Sequence, residues 1–318
     1  MKKAIIIILL TCSAKGLEAQ KIEKFYDYEW KPCEPGSARF YSQMEKKDSG
    51  WVRRDYYLPS GTIQMIGLYK DSSSKVMNGM FRFYYPNKIL SSTGRYIDNK
   101  KDGLWLGWHD NGFIKDSTEY DAGEQVGSAL HWYKNGFMQD SIVHRPDGSS
   151  VSVSWFDDGT LSAAGRNNMF NAYNGKWQFF HRNGQLSAEE VYDNGRLLSR
   201  KYFSENGVPQ ADTTDRSAPA TFPGGLDKWL RYLENHLYWP RNYQLLNGDK
   251  AWIGTEFIID ENGNLKDINI TVPFETAFND IVINTLKSSP KWIPAVSHNR
   301  KIAFLHRQSL GFQQRARQ

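Results

Sequence analysis

Four groups of residues in this 318-residue chain have types that could do chemistry. His109 and His181 take equivalent places, three residues before Gly112 and Gly184, as metal ligands in a repeating ladder would. A ladder of ligands keeps its donor in every unit. This column reads Tyr85, Tyr133, Phe156 and Ser204 elsewhere, so the two histidines are expected to pack at a rim or face solvent. Asp157-Asp158 and Glu189-Glu190 are paired carboxylates of the kind acid/base hydrolysis uses. Neighbours on a strand point to opposite faces, so neither pair converges on one bond. Cys33 could serve as a nucleophile, but no partner signature flanks it and a buried or idle thiol is expected. No catalytic residue, cofactor or metal site is assigned.

The elements that carry these residues are repeats. From about residue 57 to 209 one unit recurs seven times, its turn position falling at Gly61, Lys88, Gly112, Gly136, Gly159, Gly184 and Gly207. Four residues before each stands an aromatic: Tyr57, Tyr84, Trp108, Trp132, Trp155, Phe180 or Phe203. Glycine suits the third place of a three-residue hairpin loop, a type I turn closed by a left-handed residue. That loop pairs Tyr57/Ile63, Tyr84/Leu90, Trp108/Ile114, Trp132/Met138, Trp155/Leu161 and Phe180/Leu186 across strands. Aromatic-aliphatic pairs of this kind contribute roughly 0.2 to 1 kcal/mol each. Lys88 departs from the pattern, and a side chain in the left-handed region costs about 1 to 2 kcal/mol. Its hairpin is expected to be the weakest.

A second set of glycines, Gly79, Gly103, Gly127, Gly175 and Gly195, is expected to mark the return turns. Gly103-Leu104-Trp105 and Gly175-Lys176-Trp177 share a Gly-x-Trp entry into the next unit. Over residues 57–209 the pattern resembles the MORN-like repeat family. The resemblance implies a fold and a binding or spacing role, with no shared catalytic residues. The tryptophans are read as hairpin packing. Residues 20–56, rich in aromatics, are expected to form an opening strand pair that caps the sheet.

The N-terminus reads as a secretory signal. Lys2 and Lys3 precede an apolar run, Ala4 to Leu10, and Leu17-Glu18-Ala19 suits cleavage before Gln20. The run is well short of the roughly 20 residues a spanning helix needs. A rival reading takes Cys12 as a lipoprotein cysteine, although Thr11 suits that poorly. Loss of residues 1–19 removes three lysines and one glutamate, leaving 37 basic and 34 acidic side chains. A net charge near +3, evenly spread, gives no footprint for nucleic acid. One cysteine remains, so no intramolecular disulfide can form.

Beyond Pro209 the period changes. Residues 210–221 are a polar linker. Leu226, Trp229, Leu230, Leu233 and Leu237 then recur at helical spacing between Pro223-Gly224-Gly225 and Pro240. Ala251–Ile259 and Leu265–Val272 read as a hairpin. Phe274, Phe278, Ile281, Val282 and Leu286 form a second helical stripe, and Lys301–Phe312 reads as a last strand. The fold class is therefore mainly β, a repetitive hairpin meander followed by a small α+β domain. That domain runs helix-strand-strand-helix-strand, with two helices on a three-stranded sheet.

Residues 222–313 resemble the C-terminal domain of TonB proteins. The matching stretches are Phe222-Pro223-Gly224-Gly225, Tyr238-Trp239-Pro240, Phe257-Ile258-Ile259-Asp260, and Pro290-Lys291-Trp292-Ile293-Pro294-Ala295. Ala251, where the family has glycine, and the polar His306-Arg307-Gln308 depart from it. Residues 314–318 are a tail. The resemblance implies capture of an extended protein segment by strand addition, with Ile302, Phe304, Leu305, Leu310 and Phe312 as the expected partner-binding strand. Trp292 and Pro294 are read as structural, pinning the crossover. The expectation is an exported, non-enzymatic protein of a Gram-negative periplasm or cell envelope. It would bind a protein partner, which the resemblance implies is an outer-membrane receptor, and no nucleic acid or small molecule. The repeats would be a scaffold or second docking surface. The alternative is a membrane-anchored TonB-type transducer for transport across the outer membrane. An envelope hydrolase lacks any nucleophile-base or metal spacing. Sequencing the N-terminus of the native protein separates the first two: a start at Gln20 is expected, and persistence of Met1 would leave only the transducer.

Overall fold

The computed structural model describes residues 21–241, 243–245 and 250–314. The expected signal segment, Cys12, and all of the tail but Gln314 lie outside them. Among the described residues no helix is long and apolar enough to cross a membrane.

Sixteen strands form one antiparallel sheet in which chain order is also spatial order. They begin β1 (Lys21–Tyr26), β2 (Phe40–Lys47), β3 (Gly50–Tyr57), β4 (Thr62–Tyr69), β5 (Met77–Tyr84), β6 (Leu90–Ile97), β7 (Lys100–Trp108) and β8 (Ile114–Asp121). They continue β9 (Glu124–Trp132), β10 (Met138–His144), β11 (Ser150–Trp155), β12 (Leu161–Asn167), β13 (Tyr173–Phe180), β14 (Leu186–Asp193), β15 (Arg196–Phe203) and β16 (Pro209–Gln210). The register is the expected one at Tyr84/Leu90, Trp108/Ile114, Trp132/Met138, Trp155/Leu161 and Phe180/Leu186. The first hairpin differs, because Tyr57 faces Thr62 and Tyr56 faces Ile63. There the Leu58 amide donates back to Arg39 O at 2.8 Å, and Gly61 N closes on Tyr57 O instead, which lengthens the loop by one residue.

The second set of glycines also needs correction. Gly79, Gly103, Gly127 and Gly175 lie inside strands, at or beside shifts of register, and only Asn194-Gly195 is a return turn. The return turns fall four positions earlier in these units, at Asp98-Asn99 and Ala122-Gly123 for example, all four residues left-handed. The strand glycines are bulges, which bend the strand between turn and core. A third pair of glycines explains the Gly-x-Trp motif. A Cβ on Gly94 or Gly165 would lie 2.1 Å from the ring of Trp105 or Trp177. Each indole lies over its glycine and donates to Arg95 O or Arg166 O, at 3.0 and 2.8 Å. Trp105 packs with Phe81, Tyr69 and Met65, and Trp177 with Phe179, Ala188 and Tyr202.

The C-terminal part comprises α1 (Gly225–His236), β17 (Lys250–Ile259), β18 (Leu265–Val272), α2 (Thr276–Lys287), β19 (Ala295–Ser297), β20 (Arg300–Ile302) and β21 (Phe304–Gln313). Its three-stranded sheet has the order β18-β17-β21. Trp229 and Leu233 of α1, and Phe278, Val282 and Leu286 of α2, bury against Ile253, Phe257, Ile259, Leu310 and Phe312. The expected single last strand is divided. His298 and Asn299, at φ 50° and 61°, make a two-residue turn between β19 and β20, and Ile302 pairs with Ala295 rather than with the main sheet. This left-handed pair is turn chemistry of the kind two-residue hairpins use. The end of the linker is also held, with Ala218 and Val296 exchanging hydrogen bonds of 2.9 Å.

Lys88 is left-handed at φ 73°. Lys88→Gly relieves about 1 to 2 kcal/mol of strain and adds about 0.5 to 1 kcal/mol of unfolded-chain entropy. A net gain of about 0.5 to 1 kcal/mol is expected, read as slower amide exchange across Tyr84–Leu90; unchanged exchange would show the position unstrained.

Candidate functional site

The hairpin-turn rim is held by side chains that reach one unit forward. At the column three before the turn glycine, Tyr85 Oη donates to Trp108 O and Tyr133 Oη to Trp155 O, each at 2.9 Å. His109 Nε2 and His181 Nε2 do the same to Trp132 O and Phe203 O, at 2.7 and 2.9 Å. The two histidines are therefore rungs of the same ladder as the tyrosines. Partial burial lowers the pKa of His109, keeping it neutral. The asparagines of the turns add a second ladder: Asn87, Asn111, Asn135 and Asn183 donate to Asp110 O, Lys134 O, Asp157 O and Glu205 O.

The fifth unit breaks both ladders. Phe156 has no donor, and Asp158 replaces the asparagine. Arg182 crosses the second gap, binding Asp157 at 2.6 Å and Asp158 at 3.0 Å, and reaching Glu261 of the C-terminal part at 2.7 Å. Burial lowers its pKa, but these carboxylates outweigh burial and the net shift is upward. Arg300, from the turn between β19 and β20, closes the first gap. Its Nη1 donates to Phe180 O and Ser162 O, and its Nη2 to Ser162 Oγ at 3.1 Å. The guanidinium lies 5.3 Å from the Phe156 ring centre and 5.6 Å from that of Phe179. Burial pushes its pKa down to about 10.

The rest of this turn is equally engaged. The His298 ring stacks on Phe179 with centroids 3.5 Å apart, and its Nδ1 donates to Glu190 at 2.9 Å. Ser187 Oγ donates to His298 O at 2.6 Å, and Asn299 Nδ2 to Phe203 O at 3.0 Å. Glu190 is 1% exposed. Burial raises its pKa, yet hydrogen bonds from His298 and Tyr192 prevail and hold it below the ordinary carboxylate range. Glu189, on the opposite face, pairs with Lys176, so the two glutamates do not converge. At the other end of the rim Arg39 lies 3.6 Å over Phe274, and Tyr28 stacks on Trp252.

The expected partner strand is an edge. Among the described residues β21 pairs with β17 on one side only. A groove of about 1480 Å³ runs along Gln308–Gln314, with Leu230, Leu237, Tyr238 and Trp239 on its far wall. The side chains divide by parity. Phe304, Leu310 and Phe312 turn into the core beneath the helices, and Ile302 packs against the same core from β20. Leu305 alone of the five is exposed, at 46%. Phe304 and Leu310 thus hold the unit together, and charges there would unfold it. His306 packs on Phe257 and Trp292, and Gln308 accepts from Trp229 Nε1 at 2.9 Å, so the polar triplet leaves the strand unbroken. Trp292 is buried against Phe222, Trp229 and Phe257 while its amide donates to Gly263 O; Pro294 follows, half-buried. Cys33 is a half-buried free thiol. No metal-binding cluster occurs among the described residues.

Residues 173–194, the hairpin that receives His298, match the MORN repeat variant family. This stretch and the repetitive meander make the sheet MORN-like. No curated protein matches the chain. Among solved structures, the crystal structure of a GtfA/B complex bound to UDP and GlcNAc is similar at 11% identity with a TM-score of 0.18. It covers 43% of this chain, and the chain spans 25% of that structure, a likeness that carries no argument. Sequence reasoning missed the forward-reaching rungs and the Arg300 contact. The one signal was Phe156, an apolar residue between the polar Tyr133 and His181 of that column.

Glu190 gives this contact a pH dependence. With the folded pKa below the unfolded one, its contribution is full above the ordinary carboxylate value of about 4.3 and is lost as pH falls through the folded value. Thermal stability is expected to drop below about pH 4 in the wild type. Glu190→Gln removes part of that drop; identical acid profiles would show the carboxylate idle.

Proposed function

We propose that the chain is an exported, non-enzymatic cell-envelope protein that captures an extended protein segment by strand addition to β21, with the repeats as scaffold. The observation that carries this reading is the unpaired outer side of β21 beside an open groove. Strand addition supplies affinity through backbone hydrogen bonds, and pockets for alternate side chains supply selectivity. Leu230 and Tyr238, both well exposed, line the far wall and offer apolar contact to such side chains. The motifs shared with TonB C-terminal domains, from Phe222-Pro223-Gly224-Gly225 to Trp292-Ile293-Pro294-Ala295, point the same way. An outer-membrane receptor is the partner that resemblance favours.

A photo-crosslinking amino acid at Ser309, on β21 in the groove, tests this against one at the exposed Lys201 on β15. In the native envelope, Ser309 is expected to capture a discrete partner through a short segment, and Lys201 none. Equal capture, or none at Ser309, would move the site off the edge.

A further inference from the structure

The linker between the repeats and the C-terminal part has the composition of a flexible tether. The contacts of the β19–β20 turn make a different arrangement. We propose that the fifth and sixth repeat hairpins form a docking socket dedicated to the His298-Asn299-Arg300 turn, and that this plug holds the C-terminal unit, groove included, at one fixed bearing on the sheet.

The socket differs from the other hairpins in three ways. First, its rung residue is Phe156, so the Phe180 carbonyl has no donor from the preceding unit. A buried carbonyl left without a partner is strongly unfavourable. Arg300 supplies the missing donor, and the ring that cannot donate instead offers its face to the guanidinium. A tyrosine at 156 would make its own rung, as Tyr133 does, and compete with Arg300. Second, the bulged residue after the turn is a serine in both hairpins. Ser162 meets Arg300 through its carbonyl and hydroxyl, and Ser187 Oγ donates to His298 O. Lys115 and Gln139 take that place in the third and fourth units, where their longer side chains would fill the space. Third, the face beside the bulge carries Phe179 to stack on the imidazole and Glu190 to bind it. Ser91 shows that a bulge serine alone does not make a socket, since its unit has the polar rung Tyr85.

The plug is coupled to the groove by chain connectivity. Arg300 opens β20, and β21 begins at Phe304, four residues later. Seating the turn therefore sets where the free edge of β21 lies relative to the repeats.

The test measures docking rather than capture, so its failure and that of the proposed strand addition are distinguishable. Spin labels are placed at Glu124→Cys, on the sheet, and Lys287→Cys, at the end of α2, in a Cys33→Ser background; both labelled positions are exposed. One narrow inter-label distance is expected. Arg300→Ala is expected to broaden it and to expose residues 211–217 to protease. Asn299→Gly, which keeps the left-handed turn and deletes the donor to Phe203 O, should broaden it too without loss of circular dichroism. A parent distribution already broad, or both variants as narrow as the parent, would overturn the socket. Adding Phe156→Tyr to Arg300→Ala should restore thermal stability while the distance stays broad. Failure of stability to recover, or a return to the narrow distance, would overturn Arg300 as the substitute rung.

Discussion

The repeat sheet and its junction with the C-terminal part depend on how the strand-end carbonyls at the hairpin rim are satisfied. Beyond the first hairpin the backbone ladder stops at the turn, and the carbonyl four residues before the turn position is left for another donor. Tyr85, His109, Tyr133 and His181 each reach that carbonyl in the following unit. Backbone polar groups away from water need partners, so a nearest-neighbour rung is the economical solution for a sheet built in series. It also explains why tyrosine and histidine alternate in one column. Both carry a donor at the tip of a flat ring, and the spacing asks for nothing more.

The same requirement joins the two parts of the chain. Where the rung is phenylalanine, the donor comes from the C-terminal turn, so a defect in the repeat becomes the attachment point for the C-terminal unit. Arg300 meets neutral acceptors and aromatic faces there, while His298 donates next to it to the buried carboxylate of Glu190. Removing that donor leaves a buried carboxylate short of a partner, a larger penalty than losing a surface contact would give. On the proposed reading the repeats are more than a spacer of fixed length, since they also set the direction in which the groove is presented.

Much of this was legible in the sequence, and what was not had physical causes. Turn glycines and aromatic pairs gave the register of five hairpins, because a three-residue loop leaves a single way to pair the strands. The first hairpin escaped because the Leu58 amide is used by the preceding strand, a contact that pattern cannot show. Gly103 and Gly175 look like turn residues by type, yet a bulge asks for the same conformation inside a strand. The helices and strands after residue 222 were readable from period. The parity of β21 was readable too, but the apolar residues taken for a binding surface, Phe304, Leu310 and Phe312, are the half that faces the core. An edge strand that binds by its backbone leaves little trace in its side chains.

The unpaired side of β21 is proposed to receive an extended chain. Residue-resolved hydrogen exchange on β21, comparing the free protein with the purified cross-linked complex, tests it most directly. Backbone pairing protects amides on one side of a strand only, so alternate amides between Phe304 and Gln313 should slow while their neighbours, already paired with β17, stay unchanged. Uniform rates along β21 in the two states, with protection appearing on another surface, would contradict it.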